Sequence, residues 1–439
     1  MGTTTERADL LIEAGWVIPV EPAGSVLRDH CLALRDGCIA AVLPPAEARR
    51  WEAAERLALP RHALLPGMVH AHGHAAMALL RGYADDLPLM PWLEEHIWPA
   101  EGAHVCAGFV RDGSALAMAE MILAGTTTFS DMYFFPDEVA ALSERVGLRC
   151  QLSCPVFDFP SAWGSGADDY ISRTLALRDE YRDRPRVNVA FGPHAPYTVS
   201  RDNLAKVATF AAELDMAVQI HLHETAGEVL QAVEATGERP VDTLRQVGLL
   251  GPRTQCVHMT DLGDQDIRSL AETGAQVVHC PQSNMKLASG ACPVTALRAA
   301  GVNVALGTDS AASNNDLNLF NEMHSAALLA KLRERDAAAL PAPAVLEMAT
   351  LGGARALGLE AQIGSLLPGK QADLIAVDLS GPSMQPLYHP VSQLVYAGSG
   401  AEVTHSWVAG RALLVDRRLQ TLDLDEVLAR SAAWGEKIR

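Results

Sequence analysis

Leu64-Leu65-Pro66-Gly67-Met68-Val69-His70-Ala71-His72-Gly73-His74 is a short apolar strand that runs out into histidines. Side chains alternate along a strand, so His72 and His74 point to the same side. Two imidazoles on one face of a strand end can hold one metal ion, and Gly73 between them leaves the backbone uncrowded. His-x-His also occurs on solvated loops. The deciding question is whether the rest of the chain supplies matching ligands, each at the end of its own strand.

Downstream of this stretch, apolar strand-like runs alternate with helical patterns. Strands are expected at Leu64–Val69, Thr126–Asp131, Arg149–Val156, Asn188–Gly192, Ala217–His223, Gln255–Met259, Gln276–His279 and Asn303–Gly307. Helices are expected at Val105–Leu123, closed by Gly125, and at Asp202–Leu214, with Ser200 placed as N-cap. Asp264–Glu272, Leu317–Arg333 and Pro341–Leu359 also read as helical. Eight strands each followed by a helix argue for an α/β fold, a (β/α)8 TIM barrel.

Upstream lies a different rhythm. Residues from about Ala8 to Leu59 form short β-like runs, with an Asp36-Gly37 hairpin signal between two of them. The tail returns to β structure, as a turn and then a strand within Ile363–Asp378, and again at Thr404–Val408 and Arg411–Val415. Both chain ends are therefore expected to pair into one small β-sandwich domain. The division is residues 1–62 and 363–439 for that domain, and 63–362 for the barrel.

A chain of 439 residues is long enough for both. Hydrophobic residues make up 49% and charged ones 20%, which suits a globular enzyme with a large core. Lys and Arg total 35 against 53 Asp and Glu, a formal charge of −18. Such an acidic surface argues against nucleic acid and anionic membranes as partners. No apolar run is long enough to span a bilayer, and Met1–Asp9 lacks an apolar signal core. Eight scattered cysteines with no Cys-x-x-Cys pair read as reduced thiols, so the expected location is the cytoplasm.

Catalytic groups of such barrels stand at the C-terminal ends of the strands. Those ends carry His72 and His74, then Pro193-His194, then His221-Leu222-His223-Glu224, His258, His279, and Gly307-Thr308-Asp309. Any one of them would pass as a turn former or a satisfied core histidine. Together, at one rim, they suit a metal: neutral imidazoles plus a carboxylate favour zinc or another borderline divalent ion. His221 and His223 share a strand face, so spacing alone leaves open which one binds. His279 is equally open between pocket and packing.

With these motifs the chain resembles the amidohydrolase superfamily, in its deaminase and chlorohydrolase branch. The match includes His72-x-His74, the His221 to Glu224 stretch, His258, Gly307-Thr308-Asp309 and the closing Gly369-Lys370-Gln371-Ala372-Asp373-Leu374. The resemblance implies one zinc per subunit, or iron, held by His72, His74, His221 and Asp309. Pro193-His194 stands where two-metal members carry a bridging lysine, so a second metal is not expected. Zinc would make hydroxide available at neutral pH. Asp309 would accept the proton of that water, and His258 would orient it. Glu224 would shuttle a proton to a ring nitrogen and then to the leaving amine.

Leu79–Leu87, Trp92–Glu95, Ile97–Glu101, Gly192–Tyr197 and Thr308–Asn315 resemble the 5′-methylthioadenosine/S-adenosylhomocysteine deaminases. That resemblance implies a purine nucleoside substrate, with Glu101 on the ribose hydroxyls and His194 beside the purine. It also implies a homo-oligomer. Glu224 and Asp309 would touch the substrate as well. No arginine follows the third barrel strand, Ser153-Cys154-Pro155-Val156-Phe157, and the next loop is apolar and aromatic up to Trp163. A methylthio tail suits Trp163 better than a zwitterion, with Arg173 left as a candidate cation. The alternatives are a guanine, pterin or triazine hydrolase of the same branch, and an inactive scaffold. A scaffold predicts eroded ligands, whereas every ligand position is filled.

Overall fold

The structure is a computed structural model that describes residues 6–439. Met1–Thr5, where the polar N-terminal stretch begins, lie outside the described residues. Strands β1 (Arg7–Val17), β2 (Leu27–Arg35), β3 (Cys38–Leu43) and β4 (Glu52–Pro66) form the upstream β unit. Asp36 and Gly37 link β2 to β3 with φ of 51° and 74°, the left-handed pair that a two-residue hairpin needs.

The barrel strands follow: β5 (Met68–His70), β6 (Thr126–Asp131), β7 (Arg149–Val156), β8 (Val187–Pro193), β9 (Val218–Leu222), β10 (Thr254–His258), β11 (Gln276–His279) and β12 (Val304–Leu306). They lie side by side in sequence order, and the pairs are parallel. The ring closes where Ala71 N donates to Leu306 O at 2.9 Å and Gly73 bridges Asp309. The TIM barrel read from the sequence is thus present.

β13 (Leu374–Asp378), β14 (Val403–Val408), β15 (Arg411–Val415) and β16 (Arg418–Leu419) complete a second sheet, in the order β16-β15-β14-β13-β4-β1-β2-β3. The two chain ends meet where β13 runs antiparallel to β4, Leu374 opposite Pro66. The expected sandwich takes the form of this one continuous mixed sheet.

Two expected elements are divided. The strand read at Leu64–Val69 is split: Leu64–Pro66 end β4, and Met68–His70 begin the barrel. Gly67 is the joint, because a Cβ there would lie 2.1 Å from Thr127 Oγ1. The helix read at Pro341–Leu359 is two helices, Ala342–Met348 and Leu351–Ala356, broken at Thr350 (φ −128°, ψ −92°). Ser200 does occupy the N-cap position, but its side chain makes no capping bond.

The barrel interior is polar below the rim. Gln151 and Gln219 both donate to Gln255 Oε1, at 2.8 and 2.7 Å, and Ser130 lies 3.2 Å from Gln219 Nε2. All eight cysteines are unbridged, and six are buried. Among the described residues, no helix is long and apolar enough to cross a membrane.

Candidate active site

Strand alternation holds only while the strand lasts, and the site begins where it stops. His72 and His74 lie just past β5, and His223, His258 and Asp309 have φ of 51°, 79° and 64°. Left-handed backbone at non-glycine residues costs about 1–3 kcal/mol each and clusters at functional sites. At His223 this kink decides the question the spacing left open. The His223 ring turns out of the site, with Nδ1 on Asp261 O (2.8 Å) and Nε2 accepting from Val241 N (3.2 Å). His221 stays at the rim, and Glu224, the residue after His223, faces the cavity.

His72, His74, His221 and Asp309 converge, each offering one ligand atom, all within 4.8 Å of one another. Nε2 of His72 and of His74 lie 3.5 and 3.1 Å from Asp309 Oδ1, and Nε2 of His221 lies 3.2 Å from Nε2 of His72. The outer nitrogens are all engaged. Nδ1 of His72 contacts Gln219 Oε1 at 2.8 Å, that of His74 the Met132 carbonyl at 2.5 Å, and that of His221 the His194 carbonyl at 2.8 Å. An oxygen acceptor on Nδ1 places the ring proton there and leaves Nε2 bare as a ligand. Three bare imidazole nitrogens and one carboxylate oxygen at one point fit a divalent cation of zinc type.

Burial drives His72 and His221 to the neutral form, and takes His194 and His258 down to about 3. Burial opposes ionisation of Asp309, but the facing His72 and His74 override it and hold its carboxyl well below the usual range. Glu224 is pushed the other way: burial, with Asp309 and Glu228 nearby, raises it well above an ordinary glutamate. The two carboxyls of one site are thereby driven in opposite directions, Asp309 down and Glu224 up. His258 Nε2 lies 3.7 Å from Glu224 Oε2.

His74, His221, Glu224, His258 and Asp309 floor a cavity of about 400 Å3. Its walls include Trp92, Trp98, Phe134, Phe157, Phe159 and Tyr197, and among the described residues no lysine or arginine lines it. Glu101 enters the same cavity from the helix Trp98–His104. It accepts a 2.6 Å hydrogen bond from Tyr133 Oη. Burial raises its carboxyl to about 7 against that bond. His194 also lines the cavity, its ring 5.0 Å from that of Phe157 and its Nδ1 3.0 Å from Thr198 Oγ1.

The structure does not bring Trp163 to the cavity. It is 7% exposed and packs on Tyr170, with ring centroids 5.9 Å apart. Arg173 is likewise outside it, paired with Asp169 at 3.1 Å. His279 is buried beneath the rim and lines no part of the cavity. Sequence reading missed Gln219, Tyr133, Ser283 and Asn284. Gln219 had a signal, since it is a polar residue two positions before His221 on the same inward strand face. Tyr133 lies on the loop after β6, and Ser283 and Asn284 on the one short helix Pro281–Lys286, too brief to show a period.

The amidohydrolase family model matches residues 63–413. The 5-methylthioadenosine/S-adenosylhomocysteine deaminase of Teredinibacter turnerae is 50% identical over 99% of each chain. That of Syntrophobacter fumaroxidans is 45% identical over 97% of each. The crystal structure of an adenosine deaminase from Xanthomonas campestris with bound zinc superposes with a TM-score of 0.98, at 50% identity and 99% coverage of both chains. An atrazine chlorohydrolase from Arthrobacter aurescens has a TM-score of 0.91 at 22% identity, covering 97% of this chain and 99% of its own; it shares the fold. Over the barrel, the metal cluster and nearly the full length, this chain belongs to the amidohydrolase family.

Proposed function

We propose that the protein is a zinc-dependent aminohydrolase that converts the adenine of 5′-methylthioadenosine, and of related adenine nucleosides, to the hypoxanthine form with release of ammonia. The observation that carries the reading is a buried Glu224, its carboxyl pushed up, beside Asp309, whose carboxyl is held down, at the floor of an apolar cavity that also takes in a third carboxyl, Glu101. The names of the near-full-length relatives and the zinc in the 50% identical structure support it. His72, His74, His221 and Asp309 would hold zinc, with iron the other candidate.

The bound metal supplies a water acidified to near-neutral pKa. Glu224 does the proton work. With its carboxyl pushed well above the ordinary glutamate range, it is suited to donate to the ring nitrogen next to the carbon that water attacks. The ionised carboxylate it becomes then passes the water's second proton to the amino group, which leaves as ammonia. His258, neutral and buried, stands beside Glu224 to orient the attacking oxygen. Asp309, its carboxyl held down, takes the first proton of the water and gives it up to Glu224 once ammonia has left, so both carboxyls end as they began. Glu101 accepts from the ribose hydroxyls, for which a carboxylate is an apt double acceptor. His194 and the aromatic walls hold the purine and exclude bulk water.

Zinc-loaded protein incubated separately with 5′-methylthioadenosine, S-adenosylhomocysteine, adenosine and guanine tests this, followed by ultraviolet absorbance and ammonia release. Conversion of the adenine nucleosides, lost in Glu224→Gln, is the expected result. Turnover of guanine or a chlorotriazine alone would overturn the substrate class and the role of Glu101 while leaving the metal site standing.

A further inference from the structure

β11 contributes no group to the cavity, yet the turn after it touches two that do. The chain passes from His279 through Cys280 into the short helix Pro281–Lys286. Ser283 and Asn284 on that helix are wholly buried between the exits of β10 and β12. Ser283 Oγ donates to Asp309 Oδ2 at 2.6 Å. Asn284 Nδ2 lies 3.1 Å from His258 Nδ1. We propose that the Ser283-Asn284 pair is a positioning clamp that fixes which oxygen Asp309 presents to the metal and which nitrogen of His258 carries the proton facing the substrate. The clamp rests on the deaminase reading only for the roles of His258 and Asp309.

The proton count supports the first half. Ser313 Oγ donates to the same Asp309 Oδ2 at 2.9 Å. A hydroxyl has one proton, so with that proton committed, Ser313 accepts from Ser310 across their 3.0 Å contact. Oδ2 therefore takes two donors from two separate elements. Oδ1 alone remains free, 3.5 and 3.1 Å from the Nε2 atoms of His72 and His74. Asp309 is built to bind through one oxygen.

The second half follows from donor chemistry. An amide nitrogen can only donate, so His258 Nδ1 accepts and the ring proton sits on Nε2. That is the nitrogen 3.7 Å from Glu224 Oε2, beside the reacting groups. Asn284 Oδ1 has no partner among the described residues. Reversing the amide would put two N–H groups in that place instead, and buried orphan donors are rarer than orphan acceptors. His258 thus faces the reaction as a neutral N–H donor, suited to steady negative charge on oxygen.

Variants separate the two halves, and neither readout needs turnover. In Asn284→Asp the side chain, where ionised, can only accept, so the ring should move to the Nδ1–H form. Nitrogen-15 ring spectra of zinc-loaded protein, with His258 assigned through His258→Gln, should show Nε2–H in the wild type and Nδ1–H in the variant. Asn284→Leu, which removes the donor without adding charge, should give a mixture. Turnover of 5′-methylthioadenosine should fall about 10–100-fold in kcat for Asn284→Asp, as for other outer-sphere losses. Ser283→Ala and, independently, Ser313→Ala should each weaken zinc binding about 10–100-fold in chelator competition. An unchanged His258 tautomer in both Asn284 variants, or unchanged zinc affinity in both serine variants, overturns the clamp. If the wild type turns over no adenine nucleoside, the proposed function fails while the tautomer and zinc measurements still decide the clamp.

Discussion

Asp373→Ala removes one half of an ion pair that ties the barrel to the sheet of chain ends. Arg149 opens β7 and Asp373 stands just before β13; their side chains are 2% and 1% exposed. The pair is bidentate, Nε to Oδ2 at 3.0 Å and Nη2 to Oδ1 at 3.3 Å. Asp373 Oδ1 also accepts from Ala409 N at 2.7 Å. Without the carboxylate, a guanidinium that cannot deprotonate is left buried and uncompensated. Breaking a buried pair this way costs about 3–5 kcal/mol. An unfolding entropy of about 2.1 cal/mol/K per residue over 439 residues gives a slope of roughly 0.9 kcal/mol/K, so Tm should fall by ~3–5 °C. The double variant Arg149→Met, Asp373→Leu buries no charge. It still leaves the Ala409 N–H unpaired, at about 1–3 kcal/mol, and should melt between the single variant and the wild type. Scanning calorimetry of zinc-loaded protein reads all three. An Asp373→Ala melt within about 1 °C of wild type, or a double variant melting below the single one, would refute the reasoning.

Glu224→Gln keeps the shape of the side chain but cannot transfer a proton; kcat should fall about 10²–10⁴-fold while metal analysis finds zinc content unchanged. Glu101→Ala should raise KM for 5′-methylthioadenosine about tenfold, the loss of a charged hydrogen bond, with a much smaller change in kcat. Steady-state kinetics separate the two parameters. Trp163→Ala should cost about 3–5 kcal/mol of stability in denaturant titration, as a buried aromatic does, and leave KM near the wild-type value; a large KM change would return Trp163 to the substrate site. Gly113→Ala gains under about 1 kcal/mol in helix propensity. Its Cβ would lie 2.4 Å from the Ala76 carbonyl oxygen, an overpacking that costs about 1–3 kcal/mol, so the variant should melt lower.

The barrel was legible because its strands are buried on both sides and read as continuous apolar runs. Arg149–Val156, with all eight positions buried, was delimited to the residue even though Arg149, Gln151 and Ser153 interrupt its apolar run. The join at Pro66-Gly67 was not, since β4 and β5 are both apolar and no change of pattern marks the passage from one sheet to the other. Helices after β6 and β7, Pro136–Val146 and Ala167–Tyr181, went unread, their apolar positions interrupted by charges. The metal ligands were legible as types at strand ends. Trp163 was misleading because an aromatic on a loop after a barrel strand looks the same whether it faces the cavity or, as here, Tyr170.

The choice between His221 and His223 shows where reading by residue type stops. Both are histidines on one strand face, and only the backbone turn at His223 separates them. That turn is held from outside. Glu228 accepts from His223 N at 3.2 Å and from Glu224 N at 2.7 Å, while Thr225 Oγ1 accepts from Glu228 N at 3.0 Å. Thr225-x-x-Glu228 is the sequence signature of a capping box, and a helix does start there, at Ala226. The signature announces a helix. It does not announce that the glutamate reaches past the cap to the two preceding peptides and holds the kink that aims Glu224 into the cavity. Glu228, Asp261 and Val241 therefore set which histidine meets the metal, and none of the three stands at the rim of a strand where a ligand would be sought.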